Sequence, residues 1–445
     1  MLETIRNAFK VKDIRNRLLY TFGILILVRI GSQLPIPGVS RDYFAEWFAN
    51  QGGALNFFNA MTGGSFTRMS VFALSITPYI TSSIIMQLLT IAIPKLEEMQ
   101  KDGEDGRKKI AEFTRYLTII LSIIEGVGFA IGFGNQGILE GGITFTNVVV
   151  MVLALTAGSA VLMWLGEQIT EKGIGNGISI ILMFNIISGM PADLLSLYEK
   201  FVKGASTTNG LIAAVIIIAI IVAMIAFIIV LQDAVRKIPV QYAKKLQGRK
   251  MVGGQMSNIP LKVNTAGVIP VIFASSLLSL PIIISSFAGV APASGKGASF
   301  WQKVLKVCSQ GDWCNFKNFG EFKYTLGLLV YIAMIIFFAY FYTNITFNPV
   351  EVSANLKKAG GFIPGIRPGK PTTDYLSKVL NNIILIGAVG LTIVAVIPIF
   401  CSGAFGANVG FGGTSLIIIV GVILETIKQI ESQMLVRNYK GFLND

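Results

Sequence analysis

The side chains that most often carry enzymatic chemistry are scarce in this chain. It contains no histidine, which excludes Ser-His-Asp and Cys-His nucleophile systems, histidine-bound zinc or haem, and imidazole acid-base catalysis. Its three cysteines, Cys308, Cys314 and Cys401, are too few for an all-cysteine tetrahedral metal site, and their spacing fits no zinc or redox motif. We therefore predict a protein that is not an enzyme and that needs no metal or cofactor.

Charged residues within the apolar stretches are equally few. Arg29 lies close to the end of its stretch, where a long side chain can extend to the interface, whereas Glu125 lies nearer the middle and is expected to face the protein interior. A transporter of ions or small polar solutes places several polar groups at mid-membrane to replace lost solvation. No acidic pair or proton relay is visible, so any path through this protein is predicted to have an apolar lining.

The elements that position these residues are membrane spans. Of 445 residues, 53% are hydrophobic and 14% charged, with a mean hydropathy of +0.67, against about 25% charged in average globular proteins. A spanning helix needs about 20 mostly apolar residues. Ten such segments are present, at 18–34, 71–93, 116–134, 146–165, 174–192, 210–231, 266–287, 324–343, 380–400 and 413–427.

The net charge of +13 is distributed unevenly between alternate loops. With the N-terminus inside, the inner segments carry 27 of the 37 Lys and Arg residues and the outer segments carry 9. This bias follows the positive-inside rule, predicts that both termini are cytoplasmic, and accounts for most of the charge without nucleic acid. Anionic lipid is the other partner that such a charge favours. Residues 1–17 read as an amphipathic surface helix, with Leu2, Ile5 and Phe9 on one face.

Residues 52–70 do not fit a simple bundle. They are too polar and glycine-rich to span, yet the sequence LNFFNAM is too apolar for a plain solvent loop. One interpretation is a half-helix that folds back into the protein from the outer side, since irregular backbone at membrane depth is tolerated where it lines a cavity. A surface helix at the outer leaflet is the alternative.

Ten spans divide into five plus five, which would make the second half an inverted copy of the first. The corresponding second and seventh spans both carry an early proline, Pro78 and Pro270, each followed by a serine pair. Interrupted spans at matching positions indicate a central path. Two unrelated proline-kinked helices would give the same pattern.

Most of the remaining sequence features that could have a function lie in two long loops predicted to be on the inner side. Loop 232–265 alternates β-forming residues with cations around VQYAK, which is compatible with a hairpin. Its basic cluster is either a solvated inside-positive loop or a grip on an acidic protein or on ribosomal RNA phosphates. Loop 344–379 is rich in turn sequences, and Arg367 precedes Pro368 there, so its guanidinium is presented from a stiff turn and is expected to make a functional contact.

At these same segments the chain resembles the SecY family of channel subunits from the bacterial Sec protein translocon. The resemblance covers nearly the whole chain, in order, through QLPIPGV (33–39), FALSITPYITSSIIMQLLT (72–90), DGRKKIAEFTRY (105–116), GIGNGISI (173–180), YAKKLQGR (242–249), LKVNTAGVIPVIFASS (261–276), FNPVEVSANLKKAGGFIPGIRPG (347–369) and FGGTSLIIIVGV (411–422). It implies an all-α polytopic membrane protein whose ten helices form two pseudo-symmetric five-helix halves, a clamshell around an hourglass pore. The halves would be 18–209 and 210–430, between a cytoplasmic segment 1–17 and a cytoplasmic tail 431–445.

The resemblance also implies roles for particular residues. The family's pore ring, an aliphatic collar that resists wetting and yields to an extended polypeptide, falls on Ile76, Ile80, Leu182, Ile186, Ile272 and Ile418. Its plug corresponds to a half-helix at about 55–67, with Leu55, Asn56, Phe57, Phe58, Asn59, Ala60, Met61, Thr62, Gly63 and Gly64. Candidates for polar contacts across its lateral gate are Thr81, Gln87, Glu125 and Ser275.

The partners that the resemblance implies are SecE and SecG membrane subunits, the SecA ATPase, the ribosome, and signal sequences with their nascent polypeptides. Docking of SecA or the ribosome falls on Arg236, Lys237, Lys244, Lys245, Arg249, Lys250 and Arg367. The expected function is a passive protein-conducting channel of the bacterial inner membrane that also releases transmembrane segments sideways into lipid. The rival interpretations are a small-solute transporter built on an inverted repeat, which lacks the polar groups it needs, and an intramembrane enzyme, which lacks a nucleophile with a base.

One segment has no role in this interpretation. The outer segment 288–323 is longer and more basic than expected, and its Cys308 and Cys314 are spaced for a local disulfide if the outer face is oxidising.

Overall fold

The computed structural model of the chain describes residues 6, 9–50, 56–134, 137, 139, 142–201, 207–242, 245–247, 250–252, 256–287, 299–309, 313–314, 324–405 and 413–441. These residues are mostly helical. The helices are α1 (Lys12–Gly31), α2 (Arg41–Asn50), α3 (Asn56–Met61), α4 (Thr77–Ala92), α5 (Pro94–Lys101), α6 (Glu104–Gly134), α7 (Phe145–Lys172), α8 (Gly177–Phe201), α9 (Thr207–Asp233), α10 (Ile269–Phe287), α11 (Phe300–Cys308), α12 (Leu326–Thr346), α13 (Pro349–Lys358), α14 (Lys370–Phe405) and α15 (Gly413–Gly441).

Within the described part of the chain, six helices are long and apolar enough to cross a membrane, and a seventh counts if α4 and α5 form one broken span. These two helices meet at an angle of 103°. The bend follows from Pro94, which begins α5 and cannot donate a hydrogen bond back to α4. The chain is thus a multi-pass membrane protein by helix length and composition, and the full set of ten spans stays a prediction.

The second predicted span, 71–93, is wrong at its start because the helix begins only at Thr77. Residues 62–75 form successive turns, and Met69 and Ser75 adopt positive φ angles of 44° and 53°, which non-glycine residues rarely do. Pro78 occupies the first turn of α4, and Pro270 is the second residue of α10. Neither proline kinks a helix, since an early position leaves no hydrogen bond to break.

The chain divides into two compact units. The first unit comprises residues 1–200, 279–311 and 408–445, and the second comprises 201–278 and 312–407. In the first unit α6 packs against both α4 and α7, and α1 packs against α7. In the second unit α14 packs against α9, α12 and α13. The predicted halves 18–209 and 210–430 follow the order of the chain, whereas these units interleave.

A cluster of aromatic and aliphatic side chains forms a core of the first unit, and we call it the aromatic cluster. The rings of Phe44 and Phe66 meet edge to face at 5.3 Å, and those of Phe129 and Phe133 stack at 5.3 Å. Such pairs add about 0.5–1.5 kcal/mol each beyond the burial of their area. The cluster comprises Ile36, Val39, Phe44, Phe66, Met69, Ala73, Leu74, Phe129, Ala130, Phe133, Leu139, Met151, Leu155, Ile282 and Leu305.

The second unit contains a small sheet. Its strands are β1 (Val235–Tyr242), β4 (Met256–Lys262) and β5 (Gly361–Phe362), in the order β4-β1-β5, and the tip of the hairpin pairs β2 (Lys245–Gln247) with β3 (Lys250–Val252). The predicted hairpin is therefore confirmed. Strand β5 pairs Phe362 with Gln241, so the sheet joins the two long loops that the sequence separates by about a hundred residues.

Candidate functional site

The six residues assigned to the pore ring lie on four helices or beside them. Ile76 directly precedes α4 and Ile80 lies in its first turn, Leu182 and Ile186 are one turn apart on α8, Ile272 lies on α10 and Ile418 on α15. All are buried except Ile80, which is half-buried. Five belong to the first unit and Ile272 to the second. Each is aliphatic and offers no polar group, and their arrangement as one ring stays a prediction.

The segment predicted as a plug, about 55–67, contains the short helix α3, Asn56 to Met61, and the first of the turns that follow it. The turns continue beyond the predicted segment as far as Ser75. Leu55 lies outside the described residues, as do the side chains of Asn56, Phe57 and Phe58. Hydrogen bonds within the segment stabilise the turns. The Thr67 amide donates to Asn59 Oδ1 at 3.3 Å, and the Phe66 amide donates to Thr62 Oγ1 at 3.3 Å. We call residues 56–75 the plug segment.

Asn185 of α8 binds the plug segment at two points. Its Nδ2 donates to the carbonyl of Met61 at 3.4 Å and to the hydroxyl of Ser75 at 3.2 Å. The asparagine is buried, and a buried amide hydrogen-bonds where it can, because leaving it unpaired costs about 1–3 kcal/mol. The only signal in the sequence was one asparagine within the apolar run ILMFNIIS, and none of the sequence-based predictions included it.

Arg29 of α1 supplies a further bond. Its Nη1 donates to the carbonyl of Gly63 at 3.1 Å, so the guanidinium binds the plug segment in addition to any reach toward the interface. Gly63 has a φ of 64°, a conformation that glycine adopts without steric cost. A β-carbon there would also stand 3.0 Å from the carbonyl oxygen of Asn185. The plug segment therefore lies close against both α1 and α8.

The plug segment also packs closely on α7. Ser159 donates its hydroxyl to the carbonyl of Ser75 at 3.4 Å. The preceding residue, Gly158, lies so near the carbonyl of Val71 that a β-carbon would overlap it. The contacts of Arg29, Asn185 and Ser159 all lie within the first unit, and they fix a backbone that carries two positive φ angles at non-glycine residues.

The four residues predicted at a lateral gate have different surroundings. Thr81 donates its hydroxyl to the carbonyl of Thr77 in its own helix at 3.0 Å, Gln87 is exposed, and Glu125 is half-buried on α6. Ser275 is fully buried, and its hydroxyl lies 3.2 Å from the hydroxyl of Tyr331 on α12. The bonds described for Thr81 and Ser275 are thus made inside their own units, and a polar network across a gate stays a prediction.

The basic residues of the inner loops lie on or beside the sheet of the second unit. Arg236 and Lys237 are exposed on β1, whereas the alternate residues Ile238 and Val240 are buried against α13 and α14. Lys245 and Lys250 belong to the paired strands β2 and β3, and their side chains lie outside the described residues. Lys244 and Arg249 lie outside the described residues entirely. Successive residues of a strand point to opposite faces, so Lys237 lies on the face away from the helices, and Arg236 lies on the same face as Ile238 and Val240 but is exposed near the start of the strand.

Arg367 is exposed on a loop that its neighbours hold in place. Thr372 donates its hydroxyl to the Arg367 carbonyl at 2.8 Å, and Ser353 of α13 donates to the Gly369 carbonyl at 3.1 Å. Ile363 and Leu356 bury the base of the loop in the same core as β1. Hydrogen bonds and packing thus hold the loop that was predicted to be stiff, and it shares one folded core with Ile238 and Val240 of β1.

The three cysteines are free, so the expected local disulfide between Cys308 and Cys314 is not formed. Cys308 ends α11 in the first unit, whereas Cys314 belongs to the second. Burial raises the pKa of both thiols above the ordinary value, which keeps them protonated and poorly nucleophilic at neutral pH.

Several solved structures share this fold. A structure of a protein-conducting channel matches with a TM-score of 0.66 at 18% identity, covering 97% of each chain. Canine Sec61 in a ribosome-channel complex from the endoplasmic reticulum matches with a TM-score of 0.61 at 17% identity, also over 97% of each chain. The yeast Ssh1 complex bound to the 80S ribosome matches with a TM-score of 0.58 at 14% identity, over 96% of this chain and 89% of that one. The fold is that of the protein-conducting channels.

The family follows from the sequence comparisons. A family model described as SecY matches residues 70–427. Relatives named protein translocase subunit SecY are 44% identical in Streptomyces scabiei, 44% in Halalkalibacterium halodurans and 42% in Mycobacterium tuberculosis, each over 100% of both chains. The chain belongs to the SecY family.

Proposed function

We propose that this chain is the channel subunit of a bacterial protein translocase, which passes unfolded polypeptides across the plasma membrane. The observation that carries the proposal is the plug segment, a stretch of irregular backbone between apolar helices that Arg29 and Asn185 hold by hydrogen bonds to its backbone. Irregular backbone is tolerated at membrane depth only when protein buries it or when it lines a cavity. A plug that must move out of the pore when the channel opens is suited to being held by a few weak hydrogen bonds of this kind.

The proposed pore has an aliphatic constriction. Ile76, Leu182, Ile186, Ile272 and Ile418 are buried, and Ile80 is half-buried. An aliphatic ring excludes ions by resisting wetting, and it holds no polar site that would trap a passing chain. It therefore accepts polypeptides of any sequence, which a translocase requires.

The proposed architecture has ten spans in two halves, 18–209 and 210–430, with both termini cytoplasmic. The positive-inside bias of the loops supports this orientation. Spans two and seven, which contain α4 and α10, would then border a lateral gate through which signal sequences and transmembrane segments reach the lipid. Thr81, Gln87, Glu125 and Ser275 are the candidates for polar contacts there.

The proposed energy source is a cytoplasmic partner, because no cofactor or catalytic group is invoked in the channel itself. The sheet with Arg236 and Lys237 shares one folded core with the loop of Arg367, and these exposed cations suit the SecA ATPase or the phosphates of ribosomal RNA. Two matching structures, Sec61 and Ssh1, are ribosome complexes, which supports a ribosome as one partner. SecE-like and SecG-like membrane subunits and anionic lipids complete the proposed assembly.

Reconstitution distinguishes this proposal from a small-solute transporter. The chain is co-purified with its small membrane subunits, placed in vesicles, and supplied with SecA, ATP and a precursor that carries a signal sequence. We expect the precursor to become resistant to external protease. Vesicles that retain the folded complex but never protect the precursor would contradict the proposal, as would purification without any small membrane subunit.

A further inference from the structure

Helix α11 belongs to the predicted outer segment 288–323, for which the sequence indicated no function. Its apolar residues recur every three or four positions, which places them on one side of the helix. They are Phe300, Trp301, Val304, Leu305, Val307 and Cys308. The helix is therefore amphipathic, although it is too short to span a membrane.

The core of the first unit covers only the C-terminal part of this apolar side. Leu305 is fully buried in the aromatic cluster, and Cys308 packs against the same cluster. At the other end of the helix, Phe300 is 80% exposed and Trp301 is 47% exposed. These two adjacent aromatic side chains form an apolar patch that the described residues leave uncovered, and we call it the α11 patch.

The α11 patch is held at a fixed place in the first unit. A capping box starts the helix, in which the Gln302 side chain accepts the amide of Ser299 at 2.9 Å. The indole Nε1 of Trp301 donates to the hydroxyl of the buried Ser285 at 2.8 Å, and both residues belong to the first unit. Since Ser285 lies in the last turn of α10, the Trp301 ring lies beside the end of that helix.

This hydrogen bond sets the height of the Trp301 ring relative to the membrane. The last turn of α10 is the predicted outer end of the seventh span, 266–287. In the last two turns Leu280 and Ile284 are exposed, and exposed aliphatic side chains on a span are stable against lipid. Ile284 directly precedes Ser285. The α11 patch is therefore continuous with a predicted lipid-facing surface at the point where α10 leaves the membrane.

The residue types of α11 match the headgroup layer of a membrane. Tryptophan is enriched at this boundary because its ring is apolar and its N–H is polar. Lys303 follows Phe300 by one turn and is half-buried, and a lysine stem covers apolar surface while its ammonium reaches the phosphates. Lipid is the occupant that these observations favour, because the α11 patch adjoins a surface that lipid is predicted to cover.

We propose that α11 is an interfacial helix, whose Phe300 and Trp301 bind phospholipid in the headgroup layer of the outer leaflet. The proposal goes beyond the channel function and rests on the predicted membrane placement of α10. It assigns a role to the outer segment, since Leu305 attaches α11 to the core and the two aromatic residues attach it to the membrane surface.

Quenching of tryptophan fluorescence by brominated lipid tests this placement. The full complex is reconstituted in bilayers of phosphatidylcholine that carries bromine either just below the headgroup or near the ends of its chains. The parent is compared with Trp301→Phe, and the difference between them gives the quenching of Trp301. We expect bromine near the headgroup to quench Trp301 strongly, and bromine near the chain ends to quench it less.

Two other tryptophans calibrate the measurement. Trp164 is exposed on the apolar helix α7, so the parent should exceed W164F in lipid quenching, which shows that the complex is inserted. Trp313 is buried and packs against Tyr331, so W313F should lose little lipid quenching. Vesicles in which Trp164 is quenched but which protect no precursor would count against the proposed function alone.

A charge in the α11 patch should detach it from the membrane. In Phe300→Asp a carboxylate would have to lose hydration in order to enter the headgroup layer, so most of the lipid quenching of Trp301 should be lost. Phe145→Asp is the matched control, because Phe145 is 84% exposed and is likewise the first residue of its helix, α7. F145D should leave the quenching of Trp301 unchanged.

Three results would overturn the proposal. Quenching of Trp301 by iodide in the water, but not by brominated lipid, would mean that α11 faces solvent. Quenching by neither agent would mean that a protein subunit covers the α11 patch. Lipid quenching of Trp301 that persists in F300D would mean that Phe300 does not hold the helix at the membrane.

Discussion

The amide nitrogen Nδ2 of Asn185 lies 3.2 Å from the hydroxyl oxygen of Ser75, to which it donates a hydrogen bond. Both residues are buried, and Ser75 has a φ of 53°, a backbone conformation that costs about 1–3 kcal/mol and persists only where its surroundings impose it. The same amide nitrogen reaches the carbonyl of Met61. One side chain of α8 therefore holds both ends of the turns between α3 and α4.

Replacing Asn185 by leucine should loosen the plug segment. The near-isosteric side chain leaves the Met61 carbonyl and the Ser75 hydroxyl without their amide donor, at a cost of about 1–3 kcal/mol. We expect roughly tenfold more ion conductance through planar bilayers that contain the resting complex. Asn355→Leu is the control, since Asn355 is exposed on α13. Parent-like conductance from a folded N185L complex would show that this amide does not hold the closure.

A methyl group at Gly158 should destabilise the first unit. The added carbon would overlap the carbonyl of Val71, and overpacking of a close contact costs about 1–3 kcal/mol. Gly189→Ala on α8 is the matched control, because a β-carbon there meets nothing within 4 Å. The midpoint of thermal unfolding in detergent, followed by labelling of the free cysteines, should fall for G158A and stay level for G189A. Equal midpoints would mean that α7 and the plug segment are not in tight contact.

Much of the helical framework could be predicted from the sequence alone. The long apolar runs in α6, α7, α9, α12 and α14 have no stable place outside lipid, so composition suffices to find them. Pro94 also marks the bend between α4 and α5 in the sequence. The bend was not predicted, because the apolar run continues without a break up to this proline.

The contacts that hold the candidate site could not be predicted in this way. Asn185 lies more than a hundred residues from Met61 and Ser75, and Gln241 lies about as far from Phe362. Hydrophobic periodicity reports which face of an element is buried, but not which distant backbone group a buried amide meets.

Polar substitution in the predicted ring should loosen the closed state. Ile272→Asn or Ile418→Asn places an amide where a buried aliphatic side chain resists wetting. We expect these variants to export precursors with defective signal sequences, which the parent rejects. Ile418→Leu conserves volume and should behave as the parent does, since such exchanges usually cost less than about 1.5 kcal/mol. If the asparagine variants reject defective signals as well as the parent does, these residues do not form the constriction.

Charge reversal at Arg367 should impair the coupling to SecA and leave the channel assembled. The side chain is exposed, whereas Thr372 and the core around Ile363 hold its backbone, so Arg367→Glu changes what the loop presents rather than its fold. Opposing an acidic partner with a like charge costs several kcal/mol, so SecA-driven translocation should fall by about tenfold or more. Lys370→Glu is the control, because Lys370 is exposed nearby at the start of α14.

The Arg367 prediction is measured as protease protection of a precursor in vesicles, with the amount of co-purified small subunits as the check on assembly. Arg367→Lys separates charge from geometry, since lysine keeps the charge but loses the planar fork that binds a carboxylate through two bonds. An intermediate rate for R367K would indicate such a bidentate contact. Normal translocation by R367E would remove this loop from the docking surface and leave Arg236 and Lys237 as the candidates on the same sheet.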